Sequence, residues 1–134
     1  MTAIKKIVFP VIFIFGFLLV SFVAEAQIEI PNEIILSLKK GNSKMLSEYF
    51  NDNVELVVLD NDNVYSKAQA KQIVKNFFDS FTPESFTIIH QGGKEGSKYV
   101  IGNLKTNNGN FRIYFLLKKE NGKDYIHQLR IEKK

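Results

Sequence analysis

His90 and His127 are the only histidines in this 134-residue chain, and it has no cysteine. Disulfide stapling, thiol catalysis and cysteine-bound zinc are therefore excluded together. With Tyr125 two residues before His127, the imidazoles leave three roles open. They could hold a metal, act as general acid and base, or sit as core histidines tied to a carbonyl or a tyrosine. A metal site needs a third ligand, and no cysteine or inward carboxylate is available. A general base needs a nucleophile or an orienting carboxylate, and none stands at recognisable spacing. No metal, cofactor or catalytic residue is assigned from the sequence.

The segment that must position these groups is Phe86 to Glu132. Four β-branched and aromatic runs are punctuated there by GGKEGS, NNG and ENG, the pattern of an antiparallel meander. A two-residue turn at Asn108-Gly109 sets Leu104 opposite Ile113, Gly102 opposite Phe115 and Val100 opposite Leu117. At the next turn a three-residue loop, Glu120-Asn121-Gly122, keeps apolar residues on one face, with Ile113 opposite Leu129 and Phe111 opposite Ile131. The inner face then carries Tyr125 and His127 among its apolar residues, and His90 joins if Phe86 and Ile88 point inward. His90, Tyr125 and His127, with Phe77 and Phe81 from a helix above, are the pocket candidates. The outer face carries Ile101, Leu116 and Ile126 in a row, flanked by Tyr99 and Tyr114. Arg112, Gln128 and Arg130 stand on its rim, with Arg112 expected opposite Arg130. An apolar row rimmed by polar groups on an open sheet face marks a contact surface.

A meander with one apolar face needs helices across it. Pro31 opens a short amphipathic helix that Gly41 stops, and Asn42 or Ser43 caps a second carrying Met45, Leu46, Tyr49 and Phe50. Val54 to Leu59 reads as a strand covered on both faces, followed by a turn at Asp60 to Asn63 and a brief return at Val64-Tyr65. Ser66 and Gln69 then form a capping box for a long helix. Ala70, Ile73, Val74, Phe77, Phe78 and Phe81 repeat along it at helical spacing, up to Pro83. With no alternating βαβ units, the class is α+β.

Residues 1–26 have the composition of a signal peptide. Lys5 and Lys6 precede the apolar run Ile7 to Val20, and Ala24-Glu25-Ala26 supplies the small residues of a cleavage site. Removing them lowers the formal charge from +4 to +3. The scattered lysines form no basic stripe for nucleic acid. The expected product is one exported domain, 27–134, periplasmic or extracellular. It has no stable membrane anchor, and no cysteine for a lipoprotein.

Three segments, LDNDNVYSKAQAKQIVKNFF, FTIIHQGGKEGSKYVIGNLKTNNGNFRIYFLLKK and YIHQLRIEK, resemble a family of small exported bacterial proteins of unknown function. That family lies within the nuclear transport factor 2-like, or ketosteroid-isomerase-like, superfamily. The resemblance implies a cone-shaped roll, with two short helices and one long helix packed on a curved, mainly antiparallel sheet. It also points to a homodimer through the outer sheet face. Isomerases of that superfamily place a carboxylate base in the cone, and the inner positions here hold no Asp or Glu. The expected function is a non-enzymatic module binding an exported protein partner or a small apolar ligand. An enzyme using His90, His127 and Tyr125 on a small molecule is the alternative. N-terminal sequencing of exported protein should begin at Gln27. Recovery of an intact Lys5–Ala26 segment in membranes would overturn cleavage.

Overall fold

The structure is a computed structural model that describes residues 28–134; the expected signal peptide lies outside them. Helix α1 (Asn32–Lys40) ends at Gly41, whose left-handed φ of 66° lets it close the helix. The Asn42 side chain caps α2 (Ser43–Ser47) by accepting from the Met45 N–H at 3.0 Å. This helix is shorter than expected, because Phe50 already belongs to β1 (Phe50–Val58). Val54, Leu56 and Val58 are buried whereas Glu55 is exposed, so β1 is covered on one face rather than two. The turn after it is Leu59-Asp60, and β2 runs over Asn61–Ser66, absorbing the residues expected to turn.

The capping box opens α3 (Lys67–Ser80) as expected. The Gln69 N–H donates to Ser66 Oγ at 3.3 Å, and the Ser66 N–H donates to Gln69 Oε1 at 3.1 Å. Its inner stripe, Ala70, Val74, Phe77 and Phe78, is buried. The meander follows as β3 (Pro83–Lys94), β4 (Ser97–Thr106), β5 (Gly109–Glu120) and β6 (Lys123–Lys133). The six strands order β2-β1-β6-β5-β4-β3, with β1 and β6 parallel and every other pair antiparallel. The α+β class and the roll of three helices on this sheet are as expected.

The register departs from expectation in three places. The first hairpin turns at Asn107-Asn108, so Gly102 pairs with Ile113 and Val100 with Phe115. Thr106 explains the shift: its Oγ1 accepts from the Asn108 N–H at 3.1 Å and donates to the Gly109 carbonyl at 2.6 Å. Partners move by two residues, so no side chain changes face. The space above Gly102 is taken by Phe86, since a Cβ there would lie 2.4 Å from the Phe86 ring.

The second hairpin turns on Asn121-Gly122 alone. Their φ values of 52° and 80° are those of a type I′ turn. The parity this spoils is recovered by a bulge at His127, between the pairs Leu117–Ile126 and Leu116–Gln128. Ile126 is thereby turned into the core, fully buried, while Tyr125 pairs with Lys118 on the other side. A third irregularity, at Ile89 in β3, sets His90 beside Ile101 on the outer face.

The inner layer is continuous. Val100, Leu104, Ile113, Phe115, Leu117 and Leu129 are fully buried beneath the helices. Phe115 lies in the middle strands of this layer. Phe115→Ala should cost about 3–5 kcal/mol in denaturant unfolding, as removal of a packed aromatic does. A loss below about 1 kcal/mol would place the ring outside the core.

Candidate functional site

The interior is occupied where a cone pocket would lie. Phe77 stacks on Phe81 at 5.0 Å, and both meet Phe111 edge-on, at 5.0 and 4.8 Å between centroids. Phe77 is thus part of the buried core and Phe81, partly buried, packs against it. The other three pocket candidates do not join them. His90 is exposed on the outer face, with Nε2 hydrogen-bonded to the Tyr99 hydroxyl at 2.9 Å. His127 sits at its bulge, Nε2 3.4 Å from Glu120 Oε1 but without a hydrogen bond. Tyr125 lies by the β5–β6 tip, where the Lys123 ammonium stands 5.3 Å from its ring and 5.4 Å from that of Tyr49. Burial, reinforced by a hydrogen bond to Glu33, raises the Tyr49 hydroxyl above its usual pKa. Among the described residues no cluster of three or more His, Asp or Glu could hold a metal.

One buried charge holds the start of the domain. Lys98 points into the inner side, and its Nζ donates to the Glu29 carbonyl at 2.9 Å and lies 3.5 Å from Asp124 Oδ2. Beside it a surface depression of about 370 Å³ is lined by Ile28, Glu29, Lys94 and Lys119 among others. Lys119 meets Glu95 there at 2.6 Å. The arrangement ties chain segments together.

The residues expected at an interface do assemble on the open side of the sheet, with one exception. Three rows cross the strands. Asp62, Val57, Arg130, Tyr114, Ile101 and His90 form the middle row. Val64, Glu55, Gln128, Leu116, Tyr99 and Gly92 form the second. Glu132, Arg112, Asn103 and Thr87 form the third. The exception is Ile126, which the bulge removes to the core. Arg112 stands opposite Glu132 and not opposite Arg130, so the expected clash of guanidiniums does not exist.

Aromatic rings are set in place across this face. Tyr99 lies over Gly92, where a Cβ would come within 2.5 Å of its hydroxyl, and its ring stacks on Tyr114 at 6.3 Å. His90 fixes the hydroxyl end. A shallow depression of about 350 Å³ is lined by Arg112, Tyr114, Gln128, Arg130 and Glu132. Arg130 Nε donates to Glu132 Oε1 at 2.8 Å; that bond, with the charge behind it, raises the guanidinium's pKa further. The signal for the misplaced Ile126 was present in the chain: Ile126 and Leu129 are three apart within one strand, a spacing that only a bulge reconciles with one face.

A roll of this order, closed inside and open on its outer sheet face, belongs to the nuclear transport factor 2-like folds. Residues 31–132 match the family model described as a domain of unknown function, DUF4783, and the chain belongs to that family. A crystal structure of a DUF4783 family protein from Bacteroides ovatus is 40% identical, with a TM-score of 0.75 over 79% of this chain and 96% of that one. A second, from Bacteroides fragilis, is 34% identical with the same TM-score, over 79% and 100% of the two chains. An NTF2-like protein of unknown function from Cytophaga hutchinsonii shares the fold at 13% identity and a TM-score of 0.55, over 83% and 95% of the two chains. No curated protein matches the chain.

Gly92→Ala should push Tyr99 off the sheet and break its bond to His90. The imidazole resonances of His90 would then shift in NMR spectra while the fold persists. Unchanged resonances would mean that Tyr99 does not depend on the gap above Gly92.

Proposed function

We propose that this chain is an exported, non-enzymatic contact module that works through the open face of its sheet, on which a second copy docks to form a homodimer. One contrast supports this reading. The inner positions are filled by buried apolar side chains, whereas Tyr99, Ile101, Tyr114 and Leu116 remain half-exposed on a face that no helix of the described residues covers. Rings already held in place lose little entropy on binding, which suits a contact surface. A rim of charged and amide groups around an apolar centre has the same composition as a protein interface. A small molecule entering the interior would have to displace packed phenylalanines, so catalysis within the cone has no support from the geometry. Export rests on the basic and apolar segments of the first 26 residues and their Ala-x-Ala site.

Leu116→Asp tests the surface directly. Leu116 lies outside the core, so the variant should still fold, with a cooperative thermal melt. The mass measured by light scattering should fall from two copies to one. A wild-type protein that is monomeric at every concentration would overturn the homodimer.

A further inference from the structure

The charges of the open face are arranged so that it is complementary to itself in one orientation. Arg112 makes no ion pair among the described residues, although its cross-strand neighbour is Glu132. Glu132 gives Oε1 to Arg130, and both of those side chains remain about half-exposed, at 53% and 42%. A carboxylate accepts at both oxygens, so Oε2 of Glu132 stays available. The face therefore shows an unpaired guanidinium and an unused carboxylate oxygen side by side, on the two central strands.

An isologous interface places the same patch on both copies. Packed sheets keep their strands within about 30° of one another, or cross them near 90°. Consider an axis in the interface along the strands, between β5 and β6. It is the only strand-parallel axis that lays all six strands of one copy on strands of the other. It exchanges β5 with β6, β4 with β1 and β3 with β2. From the registers, Arg112 then faces the partner's Glu132, Arg130 the partner's Tyr114, Gln128 the partner's Leu116, and Val57 the partner's Ile101. The first pair is a salt bridge from Arg112 to the free Oε2 of the partner's Glu132, made twice, and the second is a guanidinium on an aromatic ring. No like charges meet. An axis running across the strands through the middle row would instead set Arg130 on the partner's Arg130 and Asp62 on the partner's Asp62, and like-charge juxtaposition is costly.

We infer that two copies pair their open faces about a two-fold axis running between β5 and β6, so that Arg112 of each copy meets the partner's Glu132. This rests on the homodimer reading above and adds its orientation and its charge code. Both residues lie on exposed strand positions, away from the core.

The test is a charge swap between separately purified chains, followed by sedimentation velocity and native mass spectrometry. Arg112→Glu alone sets two carboxylates together at each contact, and Glu132→Arg alone sets two guanidiniums together. Each should weaken self-association by roughly tenfold or more. Mixing the two variants restores an opposite-charge pair at both contacts, so a heterodimer of wild-type affinity should form. Pairing within a chain is untouched by mixing, which isolates the contact between copies. Thermal melts close to wild type confirm that both variants fold. If the wild type dimerises but the variants dimerise equally well, or the mixture gives no heterodimer, the axis is wrong and the homodimer stands. If the wild type is a monomer throughout, both fall.

Discussion

A β-strand shows only alternate side chains to one face, yet β6 must bury Ile126, Leu129 and Ile131. The first two are three residues apart. The bulge at His127 is what reconciles them, and much of the molecule depends on it. By inserting one residue, it lets the Asn121-Gly122 turn stay tight and still delivers Ile126 to the core against Leu117. It also sets the pairing of Arg112 with Glu132 and of Tyr114 with Arg130, and so the charge pattern of the open face. The surplus residue is the histidine, left with a ring nitrogen that is shielded but not hydrogen-bonded. A residue that looked like chemistry is the one the strand uses to change step.

The two faces of the sheet have opposite characters for one reason. The three helices of the described residues lie on the same side, where their apolar stripes pack with the phenylalanines of α3 and β5. Among the described residues the other side has no helix to bury it, and its half-exposed tyrosines and aliphatics are held by Gly92, His90 and each other. A surface that keeps such groups ordered in water is suited to receive a second surface.

Much of this could be read in the chain before any coordinates. The capping box, the helical stripe from Ala70 to Phe81 and the strand runs follow from local patterns, and local patterns carry the helices and the class of fold. The resemblance in three segments reached a family of unknown function and its fold. Register was where reading failed. Thr106 fixes the first turn through its hydroxyl, an effect that a count of glycines and asparagines does not contain. The bulges at Ile89 and His127 invert parity, so His90 and Tyr125 leave the inner face and Ile126 enters it. Each error of one residue exchanges a core position for a surface one, which is why the histidine pocket dissolved while most of the outer face survived.

The parallel pairing of β1 with β6 joins Phe50 to Ile126 and Val58 to Ile131, the longest-range contacts in the sheet. Lys98 adds another, reaching back to the Glu29 carbonyl and across to Asp124. A chain synthesised from its N-terminus therefore presents β1 and β2 long before their partner exists. The meander from β3 to β6 can zip by short loops, and only then is there an edge to receive the early hairpin. Closing distant segments is slow because loop entropy is lost before contacts repay it. The first part of the domain to be made is thus the last to be locked, and until the final strand is complete it remains accessible to chaperones and proteases.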